Sequence, residues 1–185
     1  MRKISKDIEG PIDNIIIDIA SHYSDSYKKH GYTPNILTTI SLIFGIISAF
    51  LFYKSFNVLA FIMFIIAYYY DCADGFFARK YNMTTEFGDM YDHISDVSKI
   101  LLIFSIMYCK NKNKFITFLP IMIIPFMLSL IHLGCQEIIY DTNESPSLHH
   151  LSYTCISKPD KIMKFTKYFS TGTFFIIVAI VMLTF

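Results

Sequence analysis

Between positions 71 and 96 the chain reads DCADGFFARKYNMTTEFGDMYDHISD, and this window holds the residue types that could do chemistry. Four aspartates, Asp71, Asp74, Asp92 and Asp96, stand at the edge of long apolar runs. An ionised carboxylate in or beside a bilayer is costly unless a cation or a function accompanies it. Arg79 lies in the same window and is one of two arginines, with Arg2, in a chain that otherwise uses lysine for positive charge. Gly75 and Gly88 contribute two of the seven glycines.

On helices, this spacing is productive. Asp71 and Asp74 are three apart, with Gly75 and Ala78 on nearly the same face; Gly88, Asp92 and Asp96 step by four and share another. Two such helices side by side point four carboxylates into one gap. The small residues Gly75, Ala78 and Gly88 let a backbone or a ligand approach closely. Four carboxylates cannot all stay ionised at short range without cations between them. Hard oxygen ligands favour Mg²⁺ or Mn²⁺, and a pair of ions fits this many carboxylates. Such a pair clamps a phosphate or diphosphate and stabilises an in-line displacement. Arg79, one turn past Asp74 at the water interface, suits a phosphate oxygen. Asp89 lies off the shared face and reads as a solvated or capping residue.

The elements that must hold these residues are membrane helices. The chain is 54% hydrophobic with a net charge near zero, which argues against a nucleic-acid surface. A spanning helix needs about 20 mostly apolar residues. Ile36 to Tyr53 qualifies; Phe56 to Tyr70 is apolar and can run on through Asp71 to Lys80. A third helix is expected from Glu86 to Cys109, polar in its first half. A fourth runs from Phe115 to Ile139 with kinks at Pro120 and Pro125, and a short fifth from Phe169 to Phe185. The polar stretch Asp141 to Lys167 reads as a loop with one surface helix or a concealed sixth span. The expected fold is therefore an all-α, polytopic bundle of five to six transmembrane helices. In residues 8–30, Ile12, Ile15, Ile16, Ile19 and Tyr23 recur at helical spacing, predicting an amphipathic helix on the membrane surface or on the protein's own cytosolic face. The division is a segment 1–32 followed by a membrane domain 33–185.

The lysine bias puts Lys3, Lys6, Lys28, Lys29, Arg79, Lys80, Lys158, Lys161, Lys164 and Lys167 on one side, assigned to the cytoplasm, against a dissenting Lys110, Lys112 and Lys114. The carboxylates then face the cytoplasm. The charged N-terminus shows no signal-peptide pattern. Cys72, Cys109, Cys135 and Cys155 have no CxxC spacing, which argues against zinc and against a disulfide framework. Polar positions His132, Gln136 and Glu137 on the fourth span, and His93 beside Asp92, are candidates for a pocket wall. His149 and His150 read as solvated loop residues.

DxxDGxxARx8GxxxDxxxD is matched in full by Asp71, Asp74, Gly75, Ala78, Arg79, Gly88, Asp92 and Asp96. On these residues the chain resembles the CDP-alcohol phosphatidyltransferase family, and Thr33-Pro34-Asn35 with Leu37-Thr38 looks like that family's approach to its first span. The likeness covers residues 33 to 110 well. It implies a membrane enzyme of phospholipid synthesis in which an acceptor hydroxyl attacks a CDP-linked donor and CMP leaves. By resemblance, Asp71, Asp74, Asp92 and Asp96 hold two Mg²⁺ or Mn²⁺ ions, Asp96 is also the general base, and Asn35, Gly75, Ala78 and Arg79 line the CDP site. His93, His132 and Gln136 are candidates for the acceptor pocket.

The stretch from Ala78 through Asn82, Thr85, Phe87 and Met90 to Asp92 is similar to phosphatidylinositol synthases, whereas Tyr91-Asp92-His93 is similar to choline and ethanolamine phosphotransferases. The first likeness implies a CDP-diacylglycerol donor and a small polar alcohol, inositol favoured. The second implies a CDP-amino alcohol donor and diacylglycerol. A phosphorylated acceptor calls for arginines beyond Arg2 and Arg79, and the chain has none. The family likeness also implies a homodimer and, in a eukaryotic setting, the endoplasmic reticulum. A divalent-cation transporter would carry aspartates near mid-membrane on several helices. An inactive scaffold would show an eroded signature.

Overall fold

A computed structural model describes residues 1–140, 149–156 and 158–185. Among these, all regular structure is helical: α1 Pro11–Lys29, α2 Pro34–Tyr53, α3 Asn57–Lys80, α4 Glu86–Lys110, α5 Lys112–Tyr140, a 3-10 turn His149–Thr154, α6 Pro159–Thr166, a second 3-10 turn Lys167–Phe169, and α7 Thr171–Thr184. The chain is an all-α polytopic bundle.

Four stretches are long and apolar enough to cross a membrane: α2, α3, α5 and the combined 26-residue stretch Pro159–Thr184. α4 has the length, at 25 residues. Its first half carries Glu86, Asp89, Asp92 and Asp96, and this charge keeps it out of that set. The expected last span from Phe169 is too short. α6 leads into it, burying Met163 and Thr166 while Lys161 and Lys164 face outward. α5 is one helix through both Pro120 and Pro125. Residues 141–148, part of the expected polar loop, lie outside the described residues; His149 begins a 3-10 turn instead of a loop, and His150 is exposed.

Local chemistry sets the helix starts. Thr33 caps α2, its hydroxyl accepting from the Ile36 amide at 3.3 Å, with Pro34 as the first helical residue. Thr85 caps α4 through the Gly88 amide at 3.0 Å. Between α3 and α4, Asn82 takes a left-handed φ of 53°, a conformation asparagine tolerates. In a bilayer, helices associate through close packing and interhelical hydrogen bonds. α2 and α3 show this: Ser41 and Ser48 donate to the carbonyls of Ala67 and Ala60 at 2.9 and 2.7 Å. The core beyond them is built from Phe52, Phe64, Tyr68, Ile103, Met107, Met122, Phe174 and Phe175.

α1 buries Asp13, Ile17, Ala20 and Ser24. Ala20 packs with Leu37, Ala73 and Phe77. Its Ile15, Ile19 and Tyr23 stay exposed, so one helix presents a protein-facing edge and a second apolar edge. The cysteine expectation needs correction: Cys135 and Cys155 form a disulfide, while Cys72 and Cys109 are unpaired. The 3-10 turn folds back against α5 where Gly134 leaves room; a Cβ there would stand 2.1 Å from the Leu151 carbonyl oxygen. A separation of 20 positions between the two cysteines hides that approach from the sequence.

Candidate active site

The expected side-by-side packing of the two aspartate helices needs correction: the last turns of α3 and the first half of α4 each pack on α2 rather than on each other, and their carboxylates approach across a cavity at one end of the bundle. Asp71, Asp92 and Asp96 each offer an oxygen within 4.8 Å of the others. Asp74 stands outside this trio. It is buried and accepts the Thr38 hydroxyl of α2 at 2.5 Å, and it lines the same cavity. That cavity is about 250 Å³. Its walls bring together all the residues assigned to the metals, the CDP moiety and the acceptor: the four aspartates, Asn35, Gly75, Ala78, Arg79, His93, His132 and Gln136.

The glycines of the signature have visible reasons. A Cβ on Gly75 would press on the Arg79 guanidinium, 3.2 Å from Nη1, so the glycine lets the arginine fold back along its own helix. A Cβ on Gly88 would lie 2.9 Å from Thr85 Oγ1 and 3.1 Å from Asn35 Oδ1, crowding the cap and the α2 start together. The Arg79 Nε donates to the Met1 carbonyl at 3.0 Å.

The donor set suits hard divalent cations. Asp92 Oδ1 is buried without a hydrogen-bond partner, and a carboxylate oxygen in that state wants a cation. Mg²⁺ or Mn²⁺ would be held by Asp71, Asp92 and Asp96, with Asp74 beside them.

Several participants escaped the sequence reading. Lys99, 2% exposed, pairs with Asp71 at 2.9 Å and with Asp96 at 2.7 Å. The signal was present: an ionisable residue in the apolar half of α4, three positions after Asp96. Lys3, Glu9 and Asp13, from the N-terminal segment and α1, form part of the cavity wall. The Asp13 carboxylate accepts from the Tyr68 and Ser170 hydroxyls and from the Gly172 amide. Glu9 is buried and accepts from Gln136 at 3.4 Å. Burial first, and then the Asp13 carboxylate, raise the Glu9 carboxyl to about 7. His132 shares a hydrogen bond with Thr166 at 3.0 Å through Nδ1, and its Nε2 is buried without a partner. Glu137 turns away from the cavity lining and pairs with Lys3 at 2.5 Å. His93 sits 2.6 Å from the Asp89 carbonyl through Nδ1.

Comparison with known proteins agrees with this geometry. Similar proteins include the CDP-diacylglycerol–glycerol-3-phosphate 3-phosphatidyltransferases of Rickettsia typhi and Rickettsia prowazekii, each 37% identical over 84 residues. Those matches cover 43% of this chain and 46% and 45% of the relatives, so the chain matches under half the length of each. No solved structure matches. The sequence model of CDP-alcohol phosphatidyltransferases matches residues 31–185, from just before α2 to the last residue. With the complete signature gathered around one cavity, the chain belongs to the CDP-alcohol phosphatidyltransferase family.

Proposed function

We propose that this protein transfers a phosphatidyl group from CDP-diacylglycerol to the hydroxyl of a small, uncharged polyol, inositol being the favoured acceptor, with release of CMP. One observation carries the reading: a single cavity is lined by the signature aspartates with Arg79 and Asn35 and also by His132, Gln136 and Glu9. Residues 33–185 form the transferase domain, and residues 1–32 complete the acceptor wall. The working unit is a homodimer, with its cavity facing the cytoplasm; in a eukaryotic cell the membrane would be the endoplasmic reticulum.

In this scheme Arg79 and Asn35 hold the diphosphate and its nucleotide, and Gly75 and Ala78 let it approach the α3 backbone. His132 and Gln136 orient the acceptor. Asp96 takes the proton from the attacking hydroxyl. The new bond joins the acceptor oxygen to the lipid-bearing phosphorus, the bond from that phosphorus to the CMP oxygen breaks, and CMP departs with the electron pair. Two Mg²⁺ or Mn²⁺ ions held by Asp71, Asp74, Asp92 and Asp96 would supply charge neutralisation on the diphosphate.

The acceptor class follows from charge. Glu9 and Asp13 stand on the acceptor side, and Lys3 is paired with Glu137. A phosphorylated acceptor would meet the Asp13 carboxylate and, once its proton leaves as pH rises through about 7, that of Glu9. Glycerol 3-phosphate is the second reading, favoured by the names of the Rickettsia relatives. The test is CMP release from CDP-diacylglycerol with Mn²⁺, offering inositol, serine, glycerol 3-phosphate, choline and ethanolamine separately, and CDP-choline with diacylglycerol as the reverse arrangement. Inositol should work best. Asp96→Asn should lose about 100-fold or more, the scale of general-base catalysis. Turnover of that variant at the wild-type rate removes the base assignment, and a preference for glycerol 3-phosphate removes the acceptor assignment.

A further inference from the structure

The transfer chemistry described above does not call for a lysine among the aspartates, yet the bundle is shaped to hold one there. Lys99 Nζ lies 2.9 Å from Asp71 Oδ1, 2.7 Å from Asp96 Oδ1 and 2.6 Å from the Ser41 hydroxyl. Its aliphatic stem runs through a notch in α2. A Cβ on Gly45 would lie 2.6 Å from both Cγ and Cδ of Lys99, so α2 needs glycine at that position. Ser41, one turn earlier, presents its hydroxyl to the ammonium. Two elements therefore cooperate to fix this charge, which distinguishes it from a mobile surface lysine.

We propose that Lys99 is a tethered cation that keeps the aspartate cluster from binding divalent ions tightly until the CDP-linked donor arrives with its diphosphate. The proposal rests on the transferase reading and adds a rule for how the site is loaded. Four ionised aspartates are balanced by two divalent ions. Lys99 and Arg79 then put an excess of two positive charges beside the loaded cluster, the Asp13 carboxylate of the same cavity being held by its own hydrogen bonds to Tyr68, Ser170 and Gly172, and a diphosphate diester brings two negative charges to meet that excess. Without Lys99 part of that excess disappears, and the ions no longer depend on the donor to the same degree. Lys99 acts here as a positioning residue, through the carboxylates it touches.

The experiment is a Mn²⁺ titration followed by electron paramagnetic resonance on the purified full chain in nanodiscs, without acceptor, with and without CDP-diacylglycerol. The wild type should bind Mn²⁺ weakly, and the donor should strengthen binding. Lys99→Met and Lys99→Gln should each bind Mn²⁺ about tenfold tighter in the absence of donor, because a fixed repulsion in a poorly screened site is gone. The glutamine amide keeps donors for Ser41 and Asp71 without the charge, so it also carries the test if the methionine variant does not fold. Neutral variants that bind Mn²⁺ no more tightly than the wild type overturn the proposal. So does a wild type whose Mn²⁺ affinity ignores CDP-diacylglycerol. Failure of the transferase reading looks different: no CMP is released with any acceptor, whatever the Mn²⁺ titrations give.

Discussion

Glu9 shows how a residue outside the signature becomes part of the site. In sequence it is one acid in a charged N-terminal stretch. Folded, it is 5% exposed, and its carboxyl is raised from 4.5 to about 7, by burial first and by Asp13 second. The folded protein therefore keeps a proton that the unfolded chain has released. The stability this contributes is complete below about pH 4.5 and is lost as pH rises through about 7. The loss is at most about 3 kcal/mol. Melting temperatures measured from roughly pH 5 to 8 should fall for the wild type and stay flatter for Glu9→Gln; parallel curves would refute the assignment. Asp74 and Lys99 make the same point differently. The motif spacing puts four aspartates on two helical faces, but only packing sets Asp74 against Thr38 and inserts Lys99 between Asp71 and Asp96.

Among the elements, α2, α3 and α4 carry the cavity end of the bundle, and their apolar runs made them readable in advance. Thr33 and Thr85 cap where the sequence placed helix starts. The junction between α2 and α4 was less readable, because it depends on a close approach between residues far apart in the chain. Gly88 is the contact point, with Asn35 and Thr85 both near its missing Cβ. Gly88→Ala should force these groups apart, raise the KM for CDP-diacylglycerol about tenfold and leave the acceptor KM nearly unchanged. Steady-state kinetics with each substrate varied would check this; equal changes in both would mean a general loosening of the fold. At the other end, α6 and α7 form one 26-residue stretch that the polar 141–167 reading cut short. Lysines on the outer face of α6 masked its buried side.

The whole molecule alternates direction in the membrane. Lys110 reaches the Phe52 carbonyl at 2.8 Å, and Lys114 reaches that of Thr184, which groups the α2–α3 turn, the α4–α5 junction and the end of α7. The cavity lies at the opposite end. Cys109 is exposed at the end of α4, away from the cavity. In sealed vesicles with the cavity facing the cytoplasm, a membrane-impermeant maleimide should label Cys109 only from the non-cytoplasmic side. Labelling from the cytoplasmic side would invert the orientation. α4 also exposes Ile94, Val97 and Leu101 along one edge, an apolar strip open to lipid or to a second copy. Crosslinking in bilayers should give dimers; monomers alone would remove the homodimer from the reading.

The linear chain was enough to determine the helical class and the aspartate signature, whereas α2, packed against both α3 and α4, decides how the two aspartate helices face one cavity. The class and the signature are short-range features: hydrophobic run length, and carboxylates three or four positions apart. Tertiary structure decided which distant groups join them. The Cys135–Cys155 link, the wall built from Glu9 and Asp13, the unpartnered Nε2 of His132 and the berth of Lys99 all arise from long-range packing. Each depends on how closely two backbones approach, and that distance is fixed by side chains whose partners lie tens of residues away.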